Sequence, residues 1–259
     1  MSAGSPTRPL AGRVILVTRP ADQSAVLETL LRKRGATPIL APSIEVVPAR
    51  SARLTRALKE LGDGTYDWIT LTSSATVDVL ARRLGSPADV RARVATIGDG
   101  TAAAFRRWAR RSPDLQPASF TTAALARAFP RGRGRVLCAR ADIAPAGLEE
   151  ALAVKGWTPT RVDAYRTRLP RTLPREARDA LREGRVDAVT FTSASTVRGF
   201  VGALGPVRGT PKVVCIGPVT AAEARARGLS VAAVAKPHTM EGVVDALERV
   251  FTPRGRTRR

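Results

Sequence analysis

The chain has 259 residues, 44% of them hydrophobic, which is enough for one large globular domain or two smaller ones and too much for a disordered chain. No apolar run reaches the length of a membrane span, and residues 1–12, with Pro, Ser and Gly but no apolar segment, do not read as a secretory signal. The net charge of +21 comes almost wholly from Arg, while aromatics are only 4% and do not interleave with the Arg runs, so stacking platforms for single strands are not expected.

In chain order, residues 14–18 read as a fully buried strand ended by Arg19-Pro20. Apolar residues recur at helical spacing over 22–34, and Gly35 supplies the C-cap. A strand follows over 37–40, with an extended run over 44–47 punctuated by Pro42 and Pro48. A short amphipathic helix spans 54–61. The stretch Tyr66-Asp-Trp-Ile-Thr-Leu-Thr-Ser then reads as a buried strand delivering a polar Thr72-Ser73 loop, with a helix over 77–84 behind it. Residues 85–93 form a loop and 94–97 a strand; Gly98-Asp-Gly-Thr101 is a turn into a helix over 102–110, and Ser119-Phe-Thr-Thr122 caps a helix to Phe129.

The cycle then restarts. Strands are expected over 135–140 and 158–162, the second extending through Asp163-Ala-Tyr-Arg166, with a helix over 147–155 between them. A helix over 173–182 leads to the strand 186–191, the loop Thr192-Ser193 and a helix over 196–204. The strand 213–216, the turn Gly217-Pro-Val-Thr220, a helix over 221–227 and a last helix over 239–251 complete the chain, leaving 1–12 and 252–259 as disordered basic tails.

The two halves match piece by piece. Arg19 sits over Arg140, Gly35 over Gly156, Thr72-Ser73 over Thr192-Ser193, Gly98 and Thr101 over Gly217 and Thr220, and Phe120-Thr121 over His238-Thr239. A tandemly duplicated α/β unit follows, with parallel sheets and helices on both faces, and two similar lobes leave a cleft, a favoured ligand site.

Three readings of the basic charge compete: biased composition on a solvated surface, nucleic acid, or a polyanionic small molecule. The first accounts for the total, and the third is held for particular arginines. No helix-turn-helix or zinc-finger pattern occurs, so no specific nucleic-acid partner is expected. Arg19 and Arg140, each ending the first strand of a half, suit carboxylate or phosphate binding, against the alternative of surface or capping arginines. The glycine-to-threonine turns expose helix N-terminal amides and so make anion sites, against ordinary capping. They match neither a dinucleotide fingerprint nor a P-loop. Cys138 and Cys215 lie in apolar runs and read as small buried hydrophobes in a reducing, cytoplasmic compartment. His238 is the one histidine and reads as part of a helix start, so neither a zinc site nor a Ser-His-Asp nucleophile is expected. With no paired carboxylate, the chain reads either as a binder or as an enzyme in which substrate geometry matters more than side-chain chemistry.

The ordered set Val14-Ile-Leu-Val-Thr-Arg-Pro20, Asp163-Ala-Tyr-Arg166, Phe191-Thr-Ser193 and Cys215-Ile-Gly-Pro-Val-Thr-Ala221 resembles the uroporphyrinogen-III synthase family from about residue 14 to 251. The resemblance implies a monomeric, cytoplasmic lyase of tetrapyrrole biosynthesis. It would close linear hydroxymethylbilane to uroporphyrinogen III with loss of water and inversion of ring D, using no cofactor and no metal. Its partners would be that octacarboxylate substrate and, by hand-over, hydroxymethylbilane synthase, with no membrane. The resemblance also implies two similar flavodoxin-like, parallel-sheet α/β domains joined by a two-stranded linker. Domain 1 would take 14–41 and 170–251, domain 2 would take 45–164, and 42–45 and 165–169 would link them. Thr72-Ser73 and Thr192-Ser193 would then stand on opposite walls of the cleft. Tyr165 matches the tyrosine held to assist departure of the hydroxyl; Thr101, Thr220 and Ser193 match carboxylate-binding positions, with Gly217 at the head of the second turn. Asp99 is unfavourable beside a polyanion, so the Gly217 turn is the stronger expectation. The alternative is a two-lobed small-anion binding or regulatory protein of the same fold without chemistry.

Overall fold

A computed structural model describes residues 9–252. The chain divides into two compact units, Met1–Glu45 with Arg168–Arg259, and Val46–Thr167. The first is discontinuous and the second is inserted within it.

The discontinuous unit is built on strands β1 (Val14–Val17), β2 (Thr37–Leu40), β8 (Ala188–Phe191), β9 (Lys212–Cys215) and β10 (Val231–Val234), in the order β10-β9-β8-β1-β2. Every pairing in this sheet is parallel. Successive side chains of β1 serve opposite faces, as a pleated strand requires. Ile15 and Val17 pack with α1 (Ala25–Lys33) and α10 (Met240–Phe251), while Leu16 packs with α7 (Arg175–Arg182), α8 (Ala194–Ala203) and α9 (Pro218–Ala226). Helices on both faces explain why β1 is apolar throughout instead of alternating. Each such side chain contributes roughly 1.5–3 kcal/mol by leaving water.

The inserted unit holds β3 (Glu45–Pro48), β4 (Trp68–Leu71), β5 (Arg93–Thr96), β6 (Arg135–Ala141) and β7 (Thr158–Arg168), in the order β3-β7-β6-β4-β5. The pairs β4–β5, β4–β6 and β6–β7 are parallel. Helices α2 (Ala52–Gly62), α3 (Ser74–Leu84) and α4 (Asp99–Ala109) cover one face, and α5 (Thr122–Ala128) and α6 (Gly147–Val154) the other.

The sheets repeat each other with exchanged halves. β6, β7, β4 and β5 stand in the order of β1, β2, β8 and β9, and the place of β10 is taken by a single parallel bridge, Ala95↔Leu115. The Asp that opens each repeated stretch has a structural task. Asp67 accepts from the Arg135 N–H at 2.8 Å and Asp187 from the Val14 N–H at 2.8 Å, each closing the exposed start of the neighbouring strand.

Two expectations are corrected. Residues 9–12 are not a loose lead: Leu10 is fully buried against α1 and α10, and the Gly12 N–H donates to the Gly35 carbonyl at 3.0 Å. Thr252 closes α10, donating its N–H to the Glu248 carbonyl at 2.8 Å. The rest of both expected tails lies outside the described residues. Second, both glycine turns already belong to helices, since α4 begins at Asp99 and α9 at Pro218.

Candidate active site

Each Thr-Ser loop ends a central strand and starts a helix. Ser73 caps α3, its Oγ accepting from the Thr76 N–H at 3.2 Å, and Ser193 caps α8 by accepting from the Thr196 N–H at 3.2 Å. A serine at this position satisfies one of the orphan first-turn donors. The second hydrogen bond of each hydroxyl differs. Ser73 Oγ lies 2.9 Å from the Tyr165 phenol oxygen, and Ser193 Oγ lies 2.9 Å from Ser195 Oγ. Thr72 and Thr192 sit half-buried beside them.

Tyr165 is 8% exposed, packed in the core of the inserted unit with only its hydroxyl engaged. Burial raises its pKa above the ordinary phenol value; the Ser73 hydrogen bond works against that shift, the Asp142 charge adds to it and Arg140 opposes it. The phenol therefore stays protonated through neutral pH.

Gly98 and Gly217 are the N-caps of α4 and α9, and neither helix start has a side-chain cap. The first-turn amides, and the largely buried Thr101 and Thr220, thus form two similar donor clusters, that of α9 one N–H short because Pro218 carries none. At the first, Gly98 is required by close packing, since a Cβ there would lie 2.8 Å from Phe120 Cγ. At the second, a Cβ on Gly217 would meet His238 at 3.7 Å, an ordinary contact. Asp99 in the first turn of α4 accepts from the Gln116 side-chain amide at 2.7 Å.

The two arginines part company. Arg140 is 2% exposed, and its Nη1 donates to Glu149 Oε2 at 2.9 Å and to the Pro145 carbonyl at 2.7 Å. That cation is already neutralised inside the inserted unit. Arg19 is half-buried and donates from Nε to the Gln23 carbonyl at 3.0 Å, with no carboxylate within ion-pair distance among the described residues. Burial lowers its pKa, and the charge of Asp22 only partly offsets this. A desolvated cation of this kind favours an incoming anion.

Cys138 and Cys215 are buried and unlinked, with burial pushing their thiols up to about 12 and about 11, so both are inert. His238 Nδ1 lies 2.8 Å from the Ala235 carbonyl, next to the Thr239 cap of α10. No helix among the described residues is long and apolar enough to cross a membrane. Sequence reasoning did not find Gln23, Asp142, Glu149 or Ser195; only their partners carried a repeat signal.

The family model described as Uroporphyrinogen-III synthase HemD matches residues 25–245. The chain is 29% identical over 258 residues to the uroporphyrinogen-III synthase of Synechococcus elongatus, covering 93% of this chain and 97% of that protein. It is 32% identical over 250 residues to the porphyrin biosynthesis protein HemD of Ruminiclostridium josui, covering 93% of this chain and 49% of that protein. Among solved structures, a mutant uroporphyrinogen III synthase of Thermus thermophilus superposes with a TM-score of 0.64 at 23% identity, covering 92% of this chain and 98% of that one. The uroporphyrinogen-III synthetase of Helicobacter pylori gives 0.58 at 16%, covering 90% and 97%. At these identities the structural likeness speaks for the two-unit α/β fold.

Proposed function

The chain belongs to the uroporphyrinogen-III synthase family, and from that premise we propose that it closes hydroxymethylbilane to uroporphyrinogen III with loss of water and inversion of ring D. The observation that carries this reading is the family match over residues 25–245, a span that holds every candidate site residue except Arg19. On this reading the protein is a lyase of porphyrin biosynthesis, with the linear tetrapyrrole as its small-molecule partner and the cytoplasm as its place of work.

The chemistry asks little of side chains. The carbon–oxygen bond of the terminal hydroxymethyl group breaks, the hydroxyl leaves as water, and the resulting azafulvene closes through a spiro intermediate. A donor must protonate the departing oxygen. Tyr165 is our assignment, since it is held protonated and its oxygen is already in a hydrogen bond. On this assignment Ser73 Oγ, which accepts from the Thr76 N–H, gives its own proton to the phenol oxygen and leaves the phenol hydrogen to the departing group. Holding the substrate falls to the groups that the protein carries in duplicate. These are the first-turn amides of α4 and α9 with Thr101, Thr220 and Gly217, the loops Thr72-Ser73 and Thr192-Ser193, and Arg19. Arg140 is left to its internal partner.

The test is the isomer formed. Protein mixed with hydroxymethylbilane should give the III isomer; formation of the I isomer alone sinks the proposal.

A further inference from the structure

We propose that Asp142 is the positioning residue for Tyr165, its carboxylate and its backbone N–H pinning the bulge in β7 that turns the phenol toward Ser73. The proposal rests on the reading of Tyr165 as the proton donor. It begins from an irregularity in β7. Val162 is buried, Asp163 exposed and Ala164 buried, so an unbroken alternation would place Tyr165 on the exposed side with Asp163. Tyr165 is buried instead. The register explains how: Arg140 pairs with Asp163 and Ala141 pairs with Tyr165, so Ala164 is skipped. One extra residue in a strand re-aims the side chain that follows it, and such bulges cluster beside functional sites.

Just past the bulge Asp142 makes two bonds to β7, one that resumes the ladder and one from its side chain. Its N–H donates to the Tyr165 carbonyl at 3.1 Å, and its Oδ1 accepts from the Thr167 N–H at 3.0 Å. The residue therefore grips the strand on both sides of Arg166. The same Oδ1 accepts from the Ile143 N–H at 2.9 Å, which fixes the carboxylate against its own loop. Arg161 holds the other end, donating to the carbonyls of Ala141 and Asp142 at 3.4 and 3.2 Å, and on the far side of β7 the Ala49 N–H reaches the Ala164 carbonyl at 3.0 Å. With the backbone so held, Tyr165 meets Ser73 at 2.9 Å. The groups that bear on the phenol are the Ser73 hydroxyl at the start of α3, and Asp142 and Arg140 at the end of β6. Asp142 thus also favours the protonated phenol.

The experiment exploits composition. The chain has two tyrosines, so in a Tyr66→Phe background the tyrosinate absorbance reports Tyr165 alone. We expect Asp142→Ala to lower the midpoint of that titration, through loss of the charge and looser packing. It should reduce kcat by about tenfold to 100-fold with KM held, the scale of a slightly misplaced catalytic group. Asp142→Asn, whose amide oxygen still accepts from Thr167, should lower the midpoint yet keep kcat near the parent value. An unchanged midpoint and kcat in Asp142→Ala overturns the proposal, as does an Asn variant as slow as the Ala variant. If Asp142→Ala moves the midpoint further than Asp142→Asn does but Tyr165→Phe turns over at the parent rate, the positioning stands and the donor reading of Tyr165 falls.

Discussion

The Thr-Ser loops of the two units share a backbone and differ in company. Both serines cap the following helix at 3.2 Å, but Ser73 spends its remaining hydrogen bond on Tyr165 and Ser193 on Ser195. The strand-end arginines diverge in the same way: Arg140 is locked to Glu149, whereas Arg19 has no carboxylate partner among the described residues. Duplication therefore preserved what builds the loop and released what the loop does. On our reading the inserted unit took the chemistry and an internal ion pair, and the discontinuous unit kept its arginine for an external anion.

That division can be attacked at four points. The largest effect is expected at Glu149. Its removal by Glu149→Ala leaves a buried guanidinium unpaired and should cost about 3–5 kcal/mol in denaturant unfolding. Gln23→Ala at the equivalent arginine should cost about 0.5 kcal/mol or less, because the main bond runs to the Gln23 backbone carbonyl. Comparable losses at both sites would erase the asymmetry. Next is the glycine pair. Gly98→Ala must displace Phe120 and should cost about 1–3 kcal/mol, while Gly217→Ala has room and should stay within about 1 kcal/mol, both read from thermal melts. Third, Arg19→Met should raise KM on the order of tenfold without changing the melt, as expected for losing a charge-assisted bond of ~1.5–3 kcal/mol. A KM equal to the parent's would leave Arg19 out of binding. The smallest and sharpest comparison is Ser73→Ala with Ser193→Ala. Each loses a cap of about 1 kcal/mol, and Ser73→Ala should cost about 1 kcal/mol or more beyond that, because the buried Tyr165 hydroxyl loses its partner. The rates should differ in kind, with kcat falling for Ser73→Ala and KM rising for Ser193→Ala.

Much of the fold was legible because the repeat doubled every signal. A lone Thr-Ser after an apolar run is weak, but two in register located β4 and β8, while the helices that follow begin earlier than expected, at Ser74 and Ala194. Short Gly-rich starts were harder, since nothing in Gly98-Asp-Gly-Thr101 says that the helix already begins at Asp99. β10 escaped notice because Val231-Ala-Ala-Val lacks the β-branched density of the other strands, and its counterpart has shrunk to one bridge at Leu115. The candidate site was legible as residue types and not as partnerships. Arg140 and Arg19 look alike in sequence, and what separates them is a glutamate on the next helix. Asp142 carried no signal at all, because its importance comes from a register shift that exists only once β6 and β7 pair.

The discontinuous unit has a consequence for the order of assembly. Its central contact joins β1 to β8, where the Thr18 hydroxyl meets the Thr190 carbonyl across 172 residues of chain. Closing so long a loop in a flexible chain is slow and entropically costly. The inserted unit removes most of that cost if it folds first. Its entry strand β3 and exit strand β7 are neighbours, so its completion brings together the points at which the chain leaves and re-enters the discontinuous unit. During synthesis it emerges whole while β1 and β2 still wait for β8. Substitutions that slow its folding should therefore delay maturation of the whole protein, even where they leave the finished molecule as stable as before.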